Sequence, residues 1–464
     1  MNGQFGKSDA MRRLTTAFQG NRLTARILRS TSWVLMGYGG TQVIRLASNL
    51  ILTRILFPEA FGLMTLVTVI TVGLMMFSDV GIGPSISQSK RGDDPDFLNT
   101  AWTIQVFRGC GLWLVTLVLA VPIANFYDQP DLVTYLPIAG FALVITGFLP
   151  TKIETAHRHL VFGRLTALDL LSQFIGVGCM VVLAVTTQSV LALVLGGLFS
   201  ATAKLILTTR YLPGVSNKFR LEKKALNEQV SFGKWIFLGT AFAFVSQQGD
   251  KAILGKLLSL QTLGIYNIGF FLASFPMALG TSVAQQLLIP IYRDKPPGEA
   301  PEHRARLRKM RFLMTGGMFA LLGTMAFAGP ALVDFLYDDR YSHAGAMIVI
   351  MACSLLPQAI GLSYDRAALA AGDSKGAFVF SGLRSTVQMA LLYTGFMMFG
   401  LVGALASLGL ALVLVHPILI RLAKRHHAWD ATHDSVFAVL GILISVSAIW
   451  MHIDVIRELS NLAG

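Results

Sequence analysis

Charge is what this sequence has least of. Only 14% of its 464 residues are Asp, Glu, Lys or Arg, while 54% are hydrophobic and the mean hydropathy is +0.61. A soluble protein carries about 25% charged residues, so a soluble globular domain is excluded. Cysteine is scarce as well. Cys110, Cys179 and Cys353 lie apart inside apolar runs, which excludes a disulfide framework and ligand spacing for a metal and leaves three small buried hydrophobes. No long hydrophilic block interrupts the chain, so no extramembrane domain is expected. The first 30 residues lack a short apolar core followed by a small-residue cleavage site, so no cleaved signal peptide is expected and the first apolar run drives insertion.

What is present is a series of apolar stretches, each near the roughly 20 residues a helix needs to cross a bilayer core of about 30 Å. They predict spans near 31–52, 61–83, 99–122, 132–150, 165–186, 190–210, 232–254, 262–288, 312–336, 345–365, 377–398, 401–421 and 435–453. The expected fold is an all-α polytopic membrane protein. The Lys and Arg residues sort strongly by side: with the N-terminus in the cytoplasm, 29 lie in cytoplasmic segments and 5 outside, the bias expected of inner loops. The formal net charge of +13 follows the membrane, so no nucleic-acid partner is expected. Clusters such as Arg304 to Arg311 suit attraction to membrane lipids.

Residues 33–65 and 235–267 run in register at an offset of 202: Trp33 falls on Trp235, Gly37 on Gly239, Arg54 on Lys256, and Gly62-Leu63 on Gly264-Ile265. A membrane chain whose second half restarts the first has its site between the halves. The expected organisation is a basic N-terminal segment 1–30, an N-lobe 31–210 of six helices, a cytoplasmic linker 211–231, a C-lobe 232–421 of six helices, and a segment 422–464 holding an extra span.

A charge at mid-membrane costs about 2.5–3.5 kcal/mol by insertion scales and therefore faces protein or water. Arg45, Arg108 and Arg384 fall well inside spans. Guanidinium stays charged and grips phosphate oxygens bidentately, which makes these three candidates for binding an anionic substrate; ion pairing that holds the bundle is the competing role. Gln42, Asn49, Gln105 and Gln248 could meet sugar hydroxyls, since amides both donate and accept, or bond between helices. Asp79, Asp250, Arg54, Lys256, Asp365 and Arg366 are candidates for gating or coupling, with anchoring and helix-end roles as the alternatives. No cofactor or metal is expected. A proton or sodium ion at Asp79 or Asp250 could couple transport.

LTRILFPEAFGLMTL (52–66), GDKAILGKLLSLQTLGIYNIG (249–269) and ALAAGDSK (368–375) resemble signatures of the Wzx-like polysaccharide transporters, within the multidrug/oligosaccharidyl-lipid/polysaccharide exporter superfamily. The resemblance covers most of residues 30–425. It implies two six-helix lobes around a central cavity, and no catalytic residues. It implies alternating access in the bacterial inner membrane, carrying an undecaprenyl-pyrophosphate-linked oligosaccharide from the cytoplasmic to the periplasmic leaflet, beside polymerase and export machinery. A thirteenth span departs from a plain twelve-helix pattern. Two rivals are a drug or metabolite exporter of the same superfamily, which would want acidic groups for cations, and a membrane-embedded polymerase. The latter needs an acid/base cluster, and the external loops hold only isolated acids (Glu59, Asp128, Asp131, Asp338, Asp339).

Overall fold

Every expected span lies on a helix. The computed structural model describes residues 23–79, 81–294 and 297–461, so the basic segment before Leu23 and Lys295 fall outside the described residues, as do the side chains of Asp365, Gln285 and Gln286. The helices are α1 (Leu23–Ile55), α2 (Pro58–Phe77), α3 (Ile82–Gln88), α4 (Pro95–Tyr127), α5 (Leu132–Gly147), α6 (Lys152–Arg158), α7 (Phe162–Thr187), α8 (Leu191–Tyr211), α9 (Lys223–Leu257), α10 (Leu260–Asp294), α11 (Pro301–Leu336), α12 (Ala344–Ala370), α13 (Ser374–Arg425), α14 (Ala431–Met451) and α15 (Ile453–Asn461). Among the described residues, nine are long and apolar enough to cross a membrane, and α5 with α6, bent by 61°, could add a tenth. The remaining expected spans lie on the longer, more polar α1 and α9, and on α13, which supplies two. Its backbone breaks at Phe399 and Gly400 (φ 59°), where the sequence places the turn between two spans. Glycine takes that positive φ without a Cβ penalty.

One expected span is shorter than its apolar run. The span near 61–83 stops at Phe77, and α3 starts separately at Ile82. The stop is local chemistry. Gly81 is left-handed (φ 64°), and the Asp79 carboxylate accepts its N–H at 2.8 Å, an Asx-type turn that competes with helix. The last span also begins earlier, at Ala431, because Asp430 caps it through the His433 N–H.

The described residues divide into two compact units, within Met1–Ile55 and Leu74–Leu238 and within Leu56–Gly73 and Gly239–Gly464. In the first, small residues let helices close: a Cβ on Gly109 would lie 2.5 Å from the Leu143 carbonyl, and one on Gly176 would lie 2.4 Å from Ser200 Cβ. Such small-residue contacts replace the hydrophobic drive that lipid removes. Lys204 of α8 pairs with Asp169 of α7 at 2.9 Å, where the sequence alone suggests a side chain reaching for the interface. The segment after α8 is an extended strap. The N–H groups of Lys218, Arg220 and Glu222 donate to Asn99, Thr103 and Thr100 of α4, at 2.9–3.0 Å. Alternate donation is the period of extended chain. Arg91 pins the strap's end, bonding Glu222 and Asp94, both at 2.6 Å, and thereby holds the Asp94 carboxyl below the usual carboxylate range.

In the second unit α12 is central, with 83% of its most apolar window buried. Its many alanines and glycines admit close neighbours, as at Gly409 of α13, where a Cβ would meet Ser354 at 2.8 Å. The N-terminal turns of α2 belong to this unit and cross those of α10. A Cβ on Gly62 would lie 2.0 Å from the Leu260 carbonyl oxygen, and one on Gly264 would lie 2.0 Å from that of Pro58. Pro58 and Leu260 stand at the same offset of 202 as the two glycines, so the contact is mutual between equivalent positions. α15 covers α12 and α13 with Ile456 and Leu459 buried.

Candidate functional site

Three of the polar residues singled out in the sequence meet in one cavity of the first unit. It has a volume of about 520 Å³, and Asp79, Gln105, Arg108, Glu154 and His157 line it with apolar residues of α2, α3, α4 and α5. α4 carries Gln105 and Arg108 one turn apart on one side. Gly109 and Gly147 let α4 and α5 approach, and the Asp79 turn closes the end of α2. Arg108 lies 3.7 Å from Asp79 Oδ1 and donates to the Met75 carbonyl at 3.4 Å. Both are long contacts, so the guanidinium keeps donors for a ligand. Gln105 is spent differently: its Nε2 donates to the carbonyls of Thr146, Gly147 and Leu149 at 3.0–3.3 Å, which ties α4 to the end of α5. Glu154 and His157, 3.4 Å apart, come from the short α6. The sequence places them in a loop, and nothing in their spacing points to a cavity in the membrane.

Arg45 lies on α1 of the same unit and is exposed on its surface. The positions Tyr38, Gln42, Arg45 and Asn49 share one face by their spacing of four, three and four. Gln42 Nε2 donates to the Tyr38 hydroxyl at 3.0 Å, and Asn49 is half-buried. The face of Gly37 and Gly40 packs instead on Thr166 and Leu170 of α7. Arg54 is exposed in the last turn of α1, and Lys256 is exposed in the last turn of α9. Both stand where a cation complements a helix dipole.

In the second unit the remaining candidates are dispersed. Arg384 lines a space of about 20 Å³ with Gln358 and His416, room for one water. Gln248 Oε1 and Arg366 Nε are buried without a hydrogen-bond partner. Asp250 is buried and accepts the Tyr266 hydroxyl.

A polar network that the sequence does not announce surrounds Asp434, in the first turn of α14. Its carboxylate accepts from the Tyr364 hydroxyl at 2.6 Å and Trp429 Nε1 at 3.0 Å. His416 Nε2 lies at 3.1 Å and His433 Nδ1 at 3.0 Å. His433 also reaches Thr315 Oγ1 at 2.9 Å, so α11, α12, α13 and α14 are joined through one carboxylate. An acid beside a histidine at the start of an apolar run was the available signal; the partners of the pair lie up to 118 positions away and left none.

The chain matches the polysaccharide biosynthesis protein family over residues 51–345. It is 21% identical to the lipopolysaccharide biosynthesis protein WzxC of Escherichia coli over 388 residues, covering 82% of this chain and 75% of that one. It is 22% identical to the succinoglycan biosynthesis transport protein ExoT of Rhizobium meliloti over 340 residues, covering 71% and 66%. A membrane protein of the cps region of Klebsiella pneumoniae is 21% identical, covering 68% of this chain, which spans only 64% of that protein's length. The fold is similar to an inward-facing multidrug resistance MATE family transporter of the MOP superfamily (TM-score 0.64, 11% identity, 86% and 95% covered). It is similar also to the lipid II flippase MurJ (TM-score 0.62, 11% identity, 91% and 100% covered).

Proposed function

The chain belongs to the polysaccharide biosynthesis protein family, and from that premise we propose that it is a flippase for lipid-linked oligosaccharide. The cargo is an undecaprenyl-pyrophosphate-linked repeat unit, moved by alternating access from the cytoplasmic to the periplasmic leaflet of a bacterial inner membrane. The product feeds exopolysaccharide, capsule or O-antigen synthesis, with a polymerase and export machinery as partners downstream. The N-terminus is cytoplasmic in this reading, by the charge bias of the loops.

The observation that carries the reading is an arginine held within a membrane helix at a cavity of about 520 Å³, with both of its contacts long. A guanidinium there supplies fork-shaped donors for pyrophosphate. Arg45, with Gln42 and Asn49 on the same helix face, adds charge for the phosphates and amides for the sugar. No step needs a catalytic residue or cofactor. An anion drawn in this way must also be released. Asp79, which faces Arg108, is assigned the coupling ion: when Asp79 is charged it competes with the cargo for the guanidinium, and when neutral it does not. Asp250, bonded to Tyr266, is the alternative coupling site.

One observation favours the rival exporter of cations. Asp79 and Glu154 line the same cavity, and acidic groups are what a cationic drug would seek. A reconstitution assay separates the two. Purified protein in liposomes is given a fluorescent lipid-linked oligosaccharide or a cationic dye, and far-leaflet exposure or dye uptake is scored. The expected result is translocation of the lipid-linked sugar. Loss of one charge-assisted contact of about 1.5–3 kcal/mol should cut it by about tenfold or more in Arg45→Ala and in Arg108→Ala at unchanged expression. Dye transport without sugar transport, or normal flipping by both variants, refutes the proposal.

A further inference from the structure

The second unit contains a cavity that the transport reading does not use. It has a volume of about 560 Å³ and lies between the first turns of α11 and the segment joining α13 to α14. Arg304, Arg308 and Arg311 line it from α11, with His427, Trp429 and Asp430 opposite. The three arginines recur at spacings of four and three, so they form one ridge along the helix.

The innermost of them is built in. Arg311 is only 4% exposed. It donates to the Tyr292 hydroxyl at 2.8 Å, and its guanidinium carbon lies 4.4 Å from the centre of the Tyr364 ring. Its Nε–H has no hydrogen-bond partner, although buried polar groups are nearly always satisfied. Arg308 sits midway, its Nε 3.3 Å from Asp430 Oδ2, and Arg304 is exposed at the rim. The N-terminus of α11 opens on the same space: Ala300 provides no side-chain cap and lines the cavity with Pro301. The first N–H groups of a helix and its dipole favour an anion. Against three arginines the cavity sets two carboxylates, Glu299 and Asp430, and Asp430 is already occupied by Arg308 and by the His433 N–H.

We propose that this cavity binds a phosphate group. The fork of a guanidinium matches phosphate oxygens, and a graded ridge from an exposed to a buried arginine passes the anion inward. The level of the site favours phosphate borne on a lipid headgroup. The apolar stretch of α11 begins at Phe312, directly after Arg311, and α14 begins at Ala431, directly after Asp430. The cavity therefore lies where membrane helices meet the headgroup layer, and basic pockets at that level hold anionic headgroups.

The test is calorimetric titration of the purified full-length protein in a neutral detergent with dioctanoyl-phosphatidylglycerol, with inorganic phosphate, and with dioctanoylglycerol, which lacks phosphate. The expected result is binding of the phosphatidylglycerol, none of the dioctanoylglycerol, and affinity about tenfold lower in each of Arg304→Ala and Arg308→Ala. Arg304 is exposed at the rim and the Arg308 side chain is 50% exposed, so the variants fold. Phosphatidylglycerol binding alone assigns a lipid headgroup, and binding of inorganic phosphate as well assigns a phosphate site open to soluble anions; either supports the proposal. No binding of either, equal binding of the dioctanoylglycerol, or unchanged affinity in both variants overturns it. The readout is binding to one unit and not translocation, so it stands or falls apart from flipping.

Discussion

Replacing Asp434 by alanine should loosen the second unit as a whole. Its carboxylate is the shared acceptor of Tyr364 and Trp429 and the neighbour of His416 and His433. Tyr364 and His433 are fully buried, so no water replaces the lost oxygen atoms. Leaving a buried donor unpaired costs about 1–3 kcal/mol, and opening a buried charged network costs about 3–5 kcal/mol. The deletion is therefore expected to cost about 3–5 kcal/mol. Asp434→Asn keeps one oxygen acceptor but loses the charge and sets an NH2 donor where the other oxygen accepts, so it should recover only part of that cost. Asp454→Ala is the control, because that carboxylate is 89% exposed on α15. The assay is thermal unfolding in detergent followed by tryptophan emission, reported as a rank order because a chain of two units need not unfold in one step. A double-mutant cycle with Tyr364→Phe should give a coupling of about 0.5–3 kcal/mol. The reasoning is refuted if Asp434→Ala unfolds with the control, or if the cycle shows no coupling.

Two further outcomes follow from local geometry. Gly62→Ala and Gly264→Ala should each sharply lower the yield of folded protein, since each new Cβ would fall 2.0 Å from a carbonyl oxygen of the opposing helix, whereas Gly39→Ala, with nothing within 4 Å, should not; detergent-extracted yield by size exclusion measures this. Asp94 is held low by its bond to Arg91, so its contribution is complete above the unfolded carboxylate value of about 3.9 and is lost as pH falls through the lower folded value. Melting temperature should therefore fall on acidification below about pH 4, and the Asp94→Asn profile should be flatter in that range.

The helices were legible because apolar runs of bilayer length have few other uses. The break at Phe399 and Gly400 was legible for the same reason: two spans' worth of apolar residues had to turn somewhere, and a glycine stood between them. The early end of α2 was not, because it depends on one carboxylate folding back onto Gly81, which hydropathy does not register. Of the candidate site, Arg108 was legible from the cost of a charge at its depth, and Asp79 and Gln105 from their polarity. What each does was not. Gln105 is consumed by three carbonyls of its neighbour helix, and Lys204 by Asp169, because pairing across helices depends on rotation about the helix axis, and a sequence of membrane spans constrains rotation weakly. The strap over α4 was invisible for a related reason: its donors are backbone N–H groups, which every residue possesses.

The crossing of α2 and α10 bears on how such a chain can change over time. Each glycine faces a carbonyl whose residue occupies its partner's neighbourhood in the other copy of the repeat. A bulkier side chain on either helix would push both backbones apart at once, since the second contact is the mirror of the first. The two copies therefore share one constraint: neither Gly62 nor Gly264 can take a side chain without displacing the backbone of the other copy.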